Sequence, residues 1–179
     1  MATLVRETGE TRVRVALARI GEVVTCGTGD TFLDHMLVTF ARYAGTALAV
    51  EATGDLRHHL VEDVAITLGL ALRAEIPERC ARYGEATVPM DEALVQVALD
   101  AGGRAHYEGE LPSPLYDHFL RSLAINAALT LHVRVLRGRD RHHVVEAAIK
   151  ALGLALRQAM TEGDAVFSTK GAVRITVEE

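Results

Sequence analysis

Twenty residues occur twice in this chain, and that duplication constrains the fold more than any other feature. Gly54 to Arg73 reads GDLRHHLVEDVAITLGLALR, and Gly138 to Arg157 reads GRDRHHVVEAAIKALGLALR. The copies align without a gap at an offset of 84, with twelve of the twenty positions identical. Repetition on this scale predicts two halves built alike. Each copy opens on His-His-x-x-Glu and runs into an apolar helical pattern ending Leu-Gly-Leu-Ala-Leu-Arg. If the cluster opens a helix, His58 and His59 leave it about 100° apart and cannot easily grip one ion. Glu62 shares a face with either of them. The same holds for His142, His143 and Glu146. The economical arrangement is two metal ions, each drawing ligands from both copies or from a neighbouring subunit. A solvated polar first turn would account for one such copy, but poorly for two in register.

The segments around the copies predict the rest of each half. Val13, Val15 and Leu17 alternate within a strand over Thr11–Arg19, and a second short strand covers Glu22–Cys26. Asp30 or Thr31 can cap a helix over Phe32–Ala44 that carries Asp34 and His35 in its first turn, and Gly45 suits its end. Leu48, Val50 and Ala52 form the strand before the first cluster. In the second half Val95–Leu99 echoes Val13–Leu17, and Tyr116–Leu120 echoes Leu33–Leu37. Thr130–Arg137 is the strand before the second cluster, with an extra strand candidate at Glu85–Met90. The expected fold is α/β (an α+β two-layer arrangement), each half a small sheet with two helices on one face. The halves divide as 1–83 and 84–179, within one compact unit. Glu108–Asp117, with Pro112 and Pro114, is the expected mobile loop.

Composition narrows the class of function. Hydrophobic residues make up 49% of the 179, enough for a sizeable core. The net charge of −5 and the lack of any Lys/Arg block argue against a nucleic-acid partner. Cys26 and Cys80 form no C-x-x-C pair, which suits free thiols in a reducing compartment. No apolar run is long enough to span a bilayer, and the N-terminus has no apolar signal core. The expectation is a soluble, cytoplasmic protein with no membrane partner.

Of eight histidines, four sit in the clusters, His35 opens a helix, and His132 lies on the strand before the second cluster. With Glu62 and Glu146, these make two sites of three His and one Glu. Such donors suit Mn, Fe, Co or Zn. His106 and His118 are left over, although His118 matches His35 in the repeat.

Residues in order along nearly the whole chain resemble the imidazoleglycerol-phosphate dehydratase family. They are Arg6-Glu7-Thr8, Phe32 to Leu37, His58-His59 with Glu62-Asp63, Val88 to Ala93, Arg121 to Ala124 with Asn126, Leu129 to His132, His142-His143 with Glu146, and Ser168 to Gly171. The resemblance implies loss of water from imidazole glycerol phosphate to give imidazole acetol phosphate in histidine biosynthesis. It implies two Mn²⁺ per site held between subunits of a large homo-oligomer (24 subunits in the family). The ligands it implies are His35, His58, His59, Glu62, His132, His142, His143 and Glu146. It makes Glu7 and Glu146 the candidates for moving the proton, with Arg82, Arg104, Lys150, Ser168 and Lys170 for the phosphate. Lewis-acidic ions would help the imidazole ring expel the hydroxyl.

The chain also departs from the family pattern. Arg57 and Leu60 flank the first His-His where Asp and Thr are usual. Val38-Thr39 replaces Asp-Gln, and Tyr43 replaces a common histidine. Two other readings therefore stay open: a metal-binding paralogue without turnover, or a dehydratase of a related imidazole phosphate ester.

Overall fold

A computed structural model describes residues 1–163. The first half runs β1 (Ala2–Glu7), β2 (Thr11–Ala18), β3 (Val24–Gly27), α1 (Thr31–Ala44), β4 (Ala47–Gly54) and α2 (Arg57–Glu75). The second repeats that order as β5 (Tyr83–Met90), β6 (Ala93–Asp100), β7 (His106–Gly109), α3 (Pro114–Asn126), β8 (Thr130–Arg137) and α4 (Arg141–Ala159). Each half forms a four-stranded mixed sheet, ordered β1-β2-β4-β3 and β5-β6-β8-β7. The two central strands pair antiparallel, and the short edge strand pairs parallel to its neighbour.

Alternation builds one buried face on each sheet. Val13, Val15 and Leu17 of β2 are fully buried, as are Val95 and Val97 of β6. The helices cover these faces, α2 on β1 and β2, α4 on β5 and β6. The helices also meet across the halves, α1 against α4 and α2 against α3. This layer of four helices between two sheets is the core.

The repeated glycine of Leu-Gly-Leu makes that close meeting possible. A Cβ on Gly69 would come within 2.7 Å of the Leu123 carbonyl of α3. One on Gly153 would come within 3.0 Å of the Phe40 carbonyl and the Ala44 nitrogen of α1. Any side chain at either position would push the helices apart.

Two expectations change. β1 is a strand that the charged N-terminus concealed: Leu4 packs on the core and Arg6, on the same face, reaches Asp63 of α2, while Val5 and Glu7 face outward. The supposed loop from Glu108 is shorter, because β7 runs to Gly109 and Pro114 starts α3, where its fixed φ suits the first helical position. Among the described residues no helix is long and apolar enough to cross a membrane.

Candidate metal centre

Both histidine clusters open their helices, and each is completed by a helix of the other half. Glu146 of α4 is buried, with Oε2 at 3.0 Å from His142 Nε2 and 3.3 Å from His35 Nε2. Glu62 of α2 lies 3.7 Å from His58 Nε2 and 3.2 Å from His118 Nε2. In each triad the three donor atoms lie within 4.8 Å of one another. Nitrogen donors grouped around one carboxylate can hold a divalent transition metal.

A repeated Asp-His pair places the outer histidine of each triad. Asp34 Oδ1 accepts from Thr28 N at 3.0 Å and from Thr28 Oγ1 at 2.7 Å, tying the β3–α1 turn to the helix start beside His35. Asp117 Oδ1 accepts from Leu111 N at 3.0 Å and from Tyr107 Oη at 2.7 Å, doing the same beside His118. Asp30 caps α1 through Phe32 N and Leu33 N and also accepts from Arg57 Nε, which joins the starts of α1 and α2.

The second histidine of each pair turns away from its triad and is pinned by carboxylates. His59 Nδ1 sits 3.0 Å from Asp55 and 3.4 Å from Glu10. His143 Nδ1 sits 2.7 Å from Glu92, whose other oxygen accepts from Arg139 N and Asp140 N. Asp55 and Glu92 raise the affinity of these rings for a proton. A carboxylate on Nδ1 fixes the tautomer that offers Nε2 to a metal.

The triads differ at one place. Lys150 Nζ lies 3.0 Å from Glu146 Oε1, against the Tyr43 ring at 5.8 Å. Burial pushes the Glu146 carboxyl up, but its hydrogen bonds from Lys150 and with His35 and His142 outweigh that and hold it below the ordinary range. Among the described residues Glu62 meets no lysine; the repeat places Ile66 where Lys150 stands.

The family model for imidazoleglycerol-phosphate dehydratase matches residues 28–156. The chain belongs to the imidazoleglycerol-phosphate dehydratase family. It is 46% identical to the imidazoleglycerol-phosphate dehydratase of Pyrobaculum aerophilum, over 94% of this chain and 98% of that one. Identity to the enzyme of Desulforamulus reducens is 44%, over 94% and 95%. The crystal structure of the Pyrococcus furiosus protein superposes with a TM-score of 0.85 at 42% identity, covering 95% of this chain and all of that one. The Staphylococcus aureus dehydratase gives 0.83 at 33%, over 90% and 98%. Membership in this dehydratase family places the chain among the lyases.

Of the residues expected at the site, the structure gathers His35, His142 and Glu146 in one triad, and His58 and Glu62 in the other. His59 and His143 stand beside them. His132 does not join either triad: on β8 it faces His106 of β7, ring centroids 5.6 Å apart. His118 stands third in the triad with His58 and Glu62, and the signal for it was in the sequence, since the repeat aligns it with His35. Glu7 lies exposed at the end of β1, 3.7 Å from Arg12. Arg82, held at a left-handed φ of 69°, forks onto Asp100 at 2.6 and 2.8 Å. Arg104 is exposed. Ser168 and Lys170 lie outside the described residues.

Proposed function

We propose that the chain dehydrates imidazole glycerol phosphate to imidazole acetol phosphate in histidine biosynthesis, using two Mn²⁺ held between subunits of a large cytoplasmic homo-oligomer. The observation that carries the reading is the pair of symmetric triads, each two imidazoles and a carboxylate, in a chain of this family. The donor set fits the metal. His35, His142 and Glu146 would hold one ion, and His58, Glu62 and His118 the other. His59 and His143, each pinned through Nδ1 by its own carboxylates, would complete triads of neighbouring chains, His143 by exchanging the exposed Asp91 at its Nε2 for the ion. Bound metal would supply Lewis acidity toward the imidazole ring.

The chain's own residues divide the remaining work. Hydroxide leaves the carbon attached to the ring as water, a proton leaves the next carbon, and the resulting enol becomes the ketone beyond a ring-bound methylene. Both Glu146 oxygens are engaged, one by imidazoles and one by Lys150. Glu7, exposed on its edge strand, is the freer carboxylate to move the proton. Lys150 and Arg104 supply cations for the phosphate, with Ser168 and Lys170 by resemblance; Arg82 would do so while anchored to Asp100.

Two departures from the family pattern leave this reading intact. Thr39 and Leu60 are buried in the core, so they alter packing rather than the triads. The test is product formation by purified chain with Mn²⁺ and imidazole glycerol phosphate, beside His143→Ala. Turnover that collapses in the variant supports the reading. Two manganese ions bound per chain without turnover would instead favour a metal-binding paralogue.

A further inference from the structure

A cavity of about 470 Å³ lies away from the triads, between the β2–β3 connection and the C-terminal ends of α1 and α4. Its lining includes Arg42 near the end of α1, Arg157 near the end of α4, and Thr46 just after α1. Neither guanidinium has an ion-pair or hydrogen-bond partner among the described residues. Thr46 is 1% exposed, yet its Oγ1 has no hydrogen-bond partner among the described residues. A buried hydroxyl left unmatched is costly, so a polar guest that satisfies it is favoured. Among the described residues Glu22 supplies the one carboxylate in the lining, leaving the two guanidiniums in excess. Arg157 lies against Gly45, where a Cβ would sit 3.7 Å from Nε, so the guanidinium reaches across to the end of α1.

We propose that this cavity binds the oxyanion of a small molecule, a phosphate or carboxylate group, between Arg42 and Arg157, with the Thr46 hydroxyl donating to it. Planar guanidinium forks suit such oxygens, and the buried hydroxyl adds a directional donor. Because Arg42 belongs to α1 and Arg157 to α4, the anion clamps together the two helices whose opposite ends carry His35 and His142 with Glu146.

The experiment is calorimetric titration of metal-free chain with inorganic phosphate and, separately, with acetate, at constant ionic strength. Arg42→Gln/Arg157→Gln and Thr46→Val are compared with the parent, and circular dichroism confirms that each is folded. Loss of one class of phosphate sites in the double variant, and weakening by about tenfold in Thr46→Val, are expected. Phosphate alone binding identifies a phosphate site, and acetate binding as well identifies a general oxyanion site. Amide exchange in the last turn of α1 slows on binding in the parent only. Isotherms in the double variant identical to the parent's, for both anions, overturn the proposal. Any phosphate retained at the dehydratase centre persists in both proteins, so failure here is separable from failure of the proposed reaction.

Discussion

The two triads are built from the same parts in the same places, yet they are not equivalent. Around His35, His142 and Glu146 the carboxylate is buried and braced by Lys150; around His58, Glu62 and His118 it is half-exposed and unbraced. The polar contacts beneath them are reversed. Asp63, the residue after Glu62, is buried and bonded by Thr11 Oγ1 and by Arg6 at 2.5 Å, whereas the matching Ala147 is apolar. One half thus secures its sheet to its helix by charge, and the other places charge at the metal. Duplication supplied the geometry, and divergence of two or three side chains separated the roles.

The largest expected difference is catalytic. Glu146→Gln should lower turnover by about 10²-fold or more, since it removes a braced anionic ligand. Lys150→Met should then cost less than Glu146→Gln, and a steady-state assay ranking them the other way would break the asymmetry. In metal-free protein, Glu146→Ala strands a mostly buried lysine and should destabilise by about 3 kcal/mol. Glu62→Ala leaves no comparable orphan and should cost less than about 1 kcal/mol by urea unfolding.

Metal titration sharpens the comparison next. His118→Ala should weaken one of two manganese sites by about tenfold or more, while His132→Ala keeps both, a contrast that metal-ligand energetics makes easy to resolve. Equal losses would show His132 to be a ligand as well. For the contacts beneath the triads, Asp63→Ala should cost about 2 kcal/mol, because a charged hydrogen-bonded acceptor disappears from beside Arg6 and Thr11. The smallest effect concerns Asp100, whose carboxyl Arg82 holds below its usual value, against some opposing burial. Its stabilisation is present above the ordinary carboxylate value and fades as pH falls through the depressed one. Asp100→Asn should flatten the acid limb of the stability curve, as thermal melts across that range would reveal.

Much of this arrangement is legible in the sequence because it is periodic. Alternation in Val13–Leu17 and Val95–Leu99 gives the central strands, and the duplicated His-His-x-x-Glu locates both clusters on helix starts. β1 escaped because an edge strand needs only one apolar residue such as Leu4 to pack, and its charges read as a tail. His132 is legible because it lies on the strand just before the second cluster along the chain. His118, closed onto Glu62 by the crossing of α2 and α3, is near it only in space. The Lys150 brace is likewise an i, i+4 contact that the sequence permits, but burial decides its importance. Arg82 was read only as a phosphate ligand, since no local pattern foretells its fork onto Asp100.

The crossed packing at Gly69 and Gly153 has a consequence for the history of the chain. His35 depends on α4 of the second half, and His118 on α2 of the first, so neither half can assemble a triad alone. A polypeptide of half this length could have bound metal only as a pair, with two copies exchanging their first helices' histidines. The present chain is in effect that pair with its ends joined. Joining removed the dependence of each triad on a second half-length copy, and it freed the two copies to diverge at positions such as 66 and 150.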